Sequence, residues 1–419
     1  TCLTFTSLCL GLSDALAADT IASSSYTPFL DRPALFDGIG TPRHALREAG
    51  VDIQASWTQF FQSVHGNGDD DWESGGKGDL IINLDGEKLG FWQGFYVNIH
   101  QEVIAGNDLN SIDNGSIIPV NTALALPRLG GFDHDTSVVL TQRFTETFTL
   151  SLGKFNMLDA AARTPLIGGG GIDTFMNVGL AAPISGVTPP YLVGASFGVN
   201  TKPVSFNLFV YDPRNAQDWD VVSHPFAEGV TFSLSSTLQT QIAGLPGFYS
   251  LRGVVSTDEG VDLADLPQVL LPPDFQGEIG AQANPWFVNL SGQQYLWQNP
   301  VDRGKGWGVF GQVGLLDGNP TPVMSSLILG VGGNSMISER SDDRWGIAYF
   351  KYSLSDDLRN ALAMPPFNLI LGPEEGVEAY YNFAVTPWLR ITADLQWIDD
   401  MSTGSENTWF AGLRTQLKF

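Results

Sequence analysis

Apolar and polar residues alternate along much of the chain. In the segment 51–58, Val, Ile, Ala and Trp occupy one face, and Asp, Gln, Ser and Thr occupy the other. The same alternation returns over 95–103 and, less regularly, over 204–211. A period of two is typical of a β-strand with one apolar and one polar face. A short helix over 43–49, ended by Gly50, is the first element that we predict.

The alternating segments recur often enough to predict about sixteen strands. We place them near 51–64, 78–85, 92–104, 137–144, 148–156, 191–200, 204–212, 229–239, 247–256, 285–297, 306–315, 326–332, 344–352, 375–384, 389–398 and 407–419. An even number of strands is what single-chain bacterial barrels require.

The connections between these strands alternate in length. Tight turns are expected at 145–147, 201–203 and 384–387, whereas the long links are 105–136, 157–190, 257–284 and 353–374. A membrane barrel has short turns at its periplasmic end and long loops at its extracellular end. The link 333–343 departs from this scheme, because it is longer than a periplasmic turn is expected to be.

The last strand carries the most specific local pattern. Leu413, Leu417 and Phe419 fall on one face, which would contact lipid, and Arg414 and Lys418 fall on the other, which would face an aqueous lumen. A strand closed by a terminal aromatic residue resembles the recognition signal of outer-membrane barrels. We therefore expect the barrel-assembly machinery to bind this strand.

Composition supports strands over long helices. The hydrophobic fraction is 43%, yet mean hydropathy is only +0.01, so apolar and polar residues are finely interleaved. No run of about 18 apolar residues follows the first segment, which excludes transmembrane helices.

The net charge of −24 argues against nucleic-acid binding, since phosphate attracts basic proteins. The excess carboxylates serve either solubility or divalent cations beside anionic lipid headgroups, and composition does not separate the two.

The first residues resemble the remainder of a secretory signal. An apolar stretch over 8–12 is followed by Ala15-Leu16-Ala17, a cleavage pattern of small residues before Ala18. Cys2 and Cys9, the chain's 2 cysteines, both lie in this segment, so we expect no disulfide and no Cys-ligated metal in the exported protein. The predicted organisation is a signal remnant at 1–17, a periplasmic segment at 18–50 that holds the helix, and a barrel over 51–419.

The membrane environment requires the predicted sheet to close into a barrel. In lipid every backbone polar group must be bonded internally, so a β structure has to close on itself. About eight strands leave an interior filled by side chains, whereas sixteen to eighteen leave a water channel. The fold class that we predict is therefore all-β, a transmembrane antiparallel barrel of about 16 strands with long extracellular loops.

Several motifs resemble the carbohydrate-selective porins, the glucose-porin family of Gram-negative outer membranes. They are Leu-Arg-Glu-Ala-Gly-Val at 46–51, Leu-Gly-Lys-Phe-Asn at 152–156, Asp-Thr-Phe-Met-Asn at 173–177, Phe-Val-Tyr-Asp-Pro at 209–213, Gly-Val-Glu-Ala-Tyr-Tyr at 376–381, Pro-Trp-Leu at 387–389, Asp-Leu-Gln-Trp at 394–397 and Ala-Gly-Leu-Arg at 411–414. The resemblance runs from about residue 41 to 419. It implies a sixteen-strand barrel in the cell outer membrane, and passive diffusion of monosaccharides and other small polar solutes through a constriction. The Trp-Gly-Gly that often precedes the first helix is replaced at 38–43, so the packing there is expected to differ.

The link 157–190 is our candidate for a loop that folds inward and narrows the pore. Four glycines at 168–171 allow close backbone approach to the wall. Arg163 and Asp173 would supply a fork of donors and a facing acceptor. On adjoining strands, Arg143, Lys154 and Asn156 would complete the constriction.

Two other functions remain open at this point. A secreted all-β polysaccharide hydrolase would need two carboxylates about 5–10 Å apart, and a sugar-binding surface protein would not conduct. The chain has no HExxH motif, and we predict no catalytic residue, metal or cofactor. The expected partners are small sugars, outer-membrane lipid and lipopolysaccharide. The pattern leaves the preferred solute, the ion selectivity and the choice between monomer and homotrimer open.

Overall fold

The computed structural model describes residues 27–66, 71–111, 116–269, 271, 274, 276–365, 367–399, 401 and 407–419. The strands are β1 Val51–His65, β2 Asp71–Asp85, β3 Phe95–Gly106, β4 His134–Arg143, β5 Phe148–Asn156, β6 Tyr191–Val199, β7 Val204–Tyr211, β8 Thr231–Ile242, β9 Leu245–Ser256, β10 Glu259–Val261, β11 Ala281–Ala283, β12 Trp286–Gln298, β13 Gly306–Leu316, β14 Val323–Asn334, β15 Arg344–Leu354, β16 Glu374–Thr386, β17 Leu389–Asp399 and β18 Thr408–Lys418. The helices are α1 Pro42–Glu48, α2 Thr122–Ala125, α3 Met157–Ala162, α4 Val178–Ala181, α5 Trp219–Ser223, α6 Leu266–Val269 and α7 Asp356–Ala363. Among the described residues, no helix is long and apolar enough to cross a membrane.

Sixteen of the strands form one closed antiparallel barrel. Each strand pairs with its sequence neighbour, and β1 closes the sheet by pairing with β18, where Trp57 lies opposite Leu417. The remaining two, β10 and β11, form a separate two-stranded sheet between β9 and β12. All sixteen predicted strands overlap a barrel strand, so the predicted fold class is confirmed.

The two faces of the barrel strands differ in polarity as the alternation predicted. Large apolar side chains point outward and are exposed on the outer wall, among them Leu140, Leu152, Phe197, Leu208, Leu234, Leu251, Leu290, Val313, Leu329, Ile347, Leu395 and Leu413. Polar side chains point inward and are buried, among them Thr58, Gln62, Ser137, Thr141, Ser151, Asn289, Glu378, Gln396 and Arg414. This is the arrangement of a barrel with lipid outside and a polar interior.

The short helix α1 begins and ends through local signals. The Thr41 hydroxyl accepts a hydrogen bond from the His44 backbone N–H, and Pro42 occupies the first turn, where its missing N–H costs nothing. The helix is followed by Gly50, whose φ of 97° lies in the left-handed region. The predicted helix is therefore confirmed, although it begins and ends one residue earlier than predicted.

The five longest connections, 107–133, 157–190, 212–230, 257–285 and 355–373, lie at the same end of the barrel. We call this end the loop end and the opposite end the turn end. The link between β14 and β15, which departed from the predicted rhythm, lies at the turn end and is organised by Asp343. This carboxylate accepts hydrogen bonds from Arg340 Nη2 at 2.7 Å, Tyr381 Oη at 2.7 Å and Ala384 N at 2.8 Å. Burial would raise the pKa of the Asp343 carboxyl, but these donors outweigh burial and lower the pKa below its ordinary value. The link is long because it is a folded turn built on a buried charge.

Two loops fold into the barrel. Loop L2 connects β3 to β4 (residues 107–133), and loop L3 connects β5 to β6 (residues 157–190). Side chains from both loops are buried against the inner wall, including Leu109, Ile118 and Val120 of L2 and Leu166, Phe175 and Leu180 of L3. The hydrophobic core therefore lies inside the barrel. L3 was our candidate for an inward fold, and L2 shares it.

Candidate functional site

Two arginines of the barrel wall hold the backbone of L3. Arg414 is 1% exposed, and its guanidinium donates hydrogen bonds to the carbonyl of Gly171 at 2.8 Å and to that of Thr174. Arg344 lies on β15, which β16 and β17 separate from β18, and its guanidinium donates a hydrogen bond to the carbonyl of Gly168 at 3.3 Å. The planar fork of an arginine suits two acceptors at once. The glycine run is thus held to the wall through its carbonyl groups.

Loop L3 is also held through its N–H groups. The Glu378 carboxylate on β16 accepts hydrogen bonds from the backbone N–H of Met176 and from that of Asn177, the latter at 3.0 Å. The Asn177 side chain in turn donates to Gln396 Oε1 at 3.1 Å. Because the donors and acceptors of these bonds are buried, where water cannot replace a lost partner, the bonds fix the segment that leads into α4.

Loop L2 is also fixed by β16. Glu374, four residues before Glu378 on β16, accepts hydrogen bonds from Ser116 Oγ at 2.8 Å, Ile117 N at 2.9 Å and Ile118 N at 3.1 Å. Residues at even spacing on a strand point to the same face. Two carboxylates on the inner face of one strand therefore each clamp a different loop.

The two loops also contact each other directly. The Thr122 backbone N–H and hydroxyl both donate to the Met176 carbonyl, at 2.7 and 2.6 Å. Gly171 has a φ of +79°, and a Cβ atom there would lie 2.8 Å from Thr122 Cβ. Glycine at 171 is thus required by the approach of L3 to L2, in addition to the contact with the wall that we predicted. L2 and L3 form one packed unit inside the barrel.

The clamp on L2 leads to a first prediction. Replacing Glu374 by alanine removes three hydrogen bonds to a charged acceptor, each of which contributes roughly 1.5–3 kcal/mol. We expect faster amide hydrogen exchange over 116–126 and larger fluctuations of single-channel current, because L2 becomes mobile in the lumen. Glu375→Ala is the matched control, since the Glu375 carboxylate pairs instead with Lys351 at 2.7 Å. Equal exchange and equal current noise in the two variants would contradict the assignment.

A charged cluster on β2 and β3 supports the first helix of L3. Glu102 is 1% exposed; it pairs with Lys77 and accepts hydrogen bonds from Asn156 Nδ2 and Tyr191 Oη, both at 2.8 Å. Next to it, His100 lies between two carboxylates, Asp79 of β2 at 3.1 Å and Asp159 of α3 at 3.0 Å. We call these seven residues the Lys77 cluster. They connect four wall strands, β2, β3, β5 and β6, to α3.

The Lys77 cluster includes a grouping that resembles a metal site. Ligand atoms of Asp79, His100 and Glu102 all lie within 4.8 Å of one another. However, the Lys77 ammonium contacts Glu102 and lies 3.9 Å from Asp79 Oδ1. The positive charge that a metal would supply is therefore already present, and we assign the grouping a structural role.

Of the residues predicted to line the constriction, one lies beside the Lys77 cluster and one is a member of it. Lys154 Nζ is 2.5 Å from Asp135 Oδ1 and 5.7 Å from the centre of the Tyr191 ring. Asn156 belongs to the cluster itself: it caps α3 by accepting from Leu158 N at 2.9 Å. Both residues therefore sit where L3 leaves the wall.

Two further predicted residues belong to L3. Arg163 ends α3 and is exposed. Burial alone would raise the pKa of the Asp173 carboxyl, but four cationic side chains outweigh burial and hold the pKa below its ordinary value. These are Lys418, Arg390, Arg344 and Arg414. L3 thus carries an anionic group toward a basic part of the wall.

The structure does not bring Arg143 together with the other predicted residues. Arg143 ends β4 at the turn end, where its guanidinium lies 5.5 Å from the centre of the Tyr96 ring. Its partner in the register is Thr149, whereas Lys154 lies opposite Val138. Five residues of strand correspond to about 17 Å, so Arg143 lies well away from L3.

The residues that clamp the loops were not among the predicted site residues. They are Arg344, Glu374, Glu378, Gln396 and Arg414. A usable signal was present for three of them, because Glu378, Gln396 and Arg414 are charged or amide residues on the polar face of a predicted strand. Arg414 was indeed predicted to face the lumen, but without a role.

Comparison with known proteins agrees with this architecture. A profile of the carbohydrate-selective porin, OprB family matches residues 75–419. The chain belongs to this family. The predicted family, outer-membrane location and porin class are confirmed, and the hydrolase hypothesis is set aside because this is a porin family.

Individual relatives of the chain are distant in sequence. Porin B of Pseudomonas aeruginosa is 26% identical over 193 residues, which cover 42% of this chain and 42% of that protein, under half of its length. The high-pH structure of Pseudomonas putida OprB has a TM-score of 0.79 at 18% identity and covers 94% of this chain and 100% of that chain. Its low-pH structure has a TM-score of 0.51 at 15% identity, over 90% of this chain and 95% of that chain. At such identities the likeness shows the fold alone.

Proposed function

We propose that this porin conducts small carbohydrates of monosaccharide type, and other small polar solutes, by passive diffusion. The observation that carries the proposal is that L2 and L3 are clamped inside the barrel by buried acidic and basic side chains of β16 and β18. A sixteen-strand barrel is wide enough to leave a water channel. Two rigid loops narrow such a channel to the size of a small solute without depending on a moving gate.

The groups that a solute meets are proposed to be Lys154, Arg163 and Asp173, with Asn156 fixing the start of α3. A sugar hydroxyl both donates and accepts hydrogen bonds, so a narrow region with ammonium, guanidinium and carboxylate groups suits it. Arg143 is left out of this set because of its place at the turn end. The outer wall contacts lipid and lipopolysaccharide, and β18 is the strand that the assembly machinery binds.

The test is single-channel recording of the detergent-purified protein in a planar bilayer while glucose is titrated. We expect steady conductance steps that millimolar glucose reduces, and a weaker reduction in Arg163→Ala. Conductance without any effect of sugar would instead identify a general porin. A folded barrel that does not conduct would contradict the channel and favour a sugar-binding surface protein.

A further inference from the structure

A second cavity lies at the turn end of the lumen, apart from L2 and L3. It has a volume of about 350 Å³ and lies between the segment 33–47, which precedes β1, and the inner faces of β1 and β2. Lys418 at the end of β18 closes one side. No residue of L2 or L3 belongs to its described lining. We call it the exit cavity, because a solute that has passed the loops would reach it next.

The segment before β1 is fixed in place, so the exit cavity is preformed. The Leu35 backbone N–H donates to the Lys418 carbonyl at 2.8 Å. Arg47 Nε donates to Asp52 Oδ1 of β1 at 3.0 Å, and the same guanidinium pairs with Asp37. These bonds join the segment to both strands at the seam of the barrel.

The lining of the exit cavity is balanced in charge. Three carboxylates, Asp37, Asp52 and Asp79, are matched by three cationic groups, Arg43, Arg47 and Lys418. An ion of either sign would meet as many like charges as opposite ones, whereas a neutral molecule with many hydroxyls can bond to both kinds of group. Ala34 and Ile81 add an apolar patch suited to the face of a sugar ring.

Some polar atoms of the residues that line the exit cavity have no hydrogen-bond partner. In the part of the chain that the structure describes, three buried polar atoms of the lining residues have no hydrogen-bond partner: Asp37 Oδ1, Asp79 Oδ2 and Arg43 Nε. The Arg43 Nε lies 3.9 Å from Asp37 Oδ2, beyond hydrogen-bond distance. Buried polar atoms are normally paired, so three unpaired ones on the residues around one cavity favour a polar occupant over an apolar one.

We propose that the exit cavity is a second sugar-binding site, for one neutral monosaccharide, on the turn side of the constriction. The proposal rests on the proposed function, since it assumes that sugars enter the lumen. The cavity volume lies near the lower limit of ligand pockets, about 300–1,000 Å³, which suits a single ring better than an oligosaccharide. A solute would then pass from the loops to this site before release.

The test is protection of a cysteine placed in the cavity. Cys2 and Cys9 are changed to serine, and Ser56, which lines the cavity, is changed to cysteine. The rate of modification by a water-soluble methanethiosulfonate reagent is measured in detergent with and without glucose. The matched control is Ser235→Cys on β8, a half-buried position opposite Arg252 in the register and outside the cavity lining.

We expect glucose at ten times its dissociation constant to slow modification of Ser56→Cys about ten-fold and to leave Ser235→Cys unchanged. Equal slowing at both positions, or none at Ser56→Cys while the wild-type channel is still blocked by glucose, would overturn the exit cavity and leave the proposed function standing. Absence of block in the wild-type channel would instead reject the proposed function itself.

Discussion

Replacing Arg414 by alanine is expected to release L3, raise single-channel conductance and abolish its reduction by glucose. The guanidinium is buried and bonds the carbonyls of Gly171 and Thr174. It also contributes positive charge beside Asp173. Removing one partner from a buried charged group costs about 3–5 kcal/mol, because the remaining charges and acceptors stay buried and unpaired.

The barrel itself should survive this substitution. Arg414 lies in the register of β18 between β1 and β17, opposite Phe60 and Thr392, and these backbone hydrogen bonds do not depend on its side chain. Far-ultraviolet circular dichroism and the retarded mobility of unheated protein on detergent gels would confirm a closed barrel. The effect is therefore expected in L3 and in the channel.

Two further variants separate charge from geometry. Arg414→Lys keeps the positive charge but loses the fork, so we expect an intermediate conductance. Arg344→Ala should have a smaller effect, because its bonds to the carbonyls of 165, 166 and 168 are 3.3–3.4 Å long. Unchanged conductance and unchanged glucose block in Arg414→Ala would show that Arg344, Glu378 and packing hold L3 without Arg414.

Most of the barrel was predictable because the alternation of residues fixes which face of each strand meets lipid. The largest error is at the start of β2, which was predicted at 78 and begins at Asp71. Gly75 and Gly76 interrupt the alternation there. The strand forms nonetheless because it pairs with β1, and the Trp57 ring covers the gap: a Cβ at Gly76 would lie 2.3 Å from Trp57 Cζ2. This compensation depends on the neighbouring strand and has no local signal.

The loop clamps could not be predicted in the same way. Arg414 and Gly171 are 243 residues apart, and Glu374 and Ile118 are 256 apart. Such pairs meet only because the barrel closes and the loops turn inward. Arg143 shows the opposite error: it lies on the strand next to that of Lys154, but the two residues are far apart along the barrel axis. The sequence indicates which face of a strand a residue occupies, whereas the position of that residue along the barrel axis depends on the register between strands.

The buried pair of the Lys77 cluster should contribute strongly to stability, and Glu102→Gln is expected to lower the free energy of unfolding by about 3–5 kcal/mol. Glutamine keeps the size of the side chain but removes its charge. Lys77 is 2% exposed, and its remaining acidic neighbour Asp79 is 3.9 Å away. The ammonium would then be buried without a close counter-charge. The measurement is the urea concentration at which the folded form disappears from detergent gels.

A double variant isolates the cause of this loss. Combining Glu102→Gln with Lys77→Met also removes the unpaired Lys77 ammonium. We therefore expect the double variant to be more stable than Glu102→Gln alone, as a double-mutant cycle would record. The comparison pair is Lys351 and Glu375, whose side chains are 38% and 26% exposed. Breaking that pair should cost at most about 1 kcal/mol, since water screens it. If the two pairs cost the same, Lys77 would have to be solvated in the lumen, and α3 would be held by Asn156 and His100 without help from the buried charge.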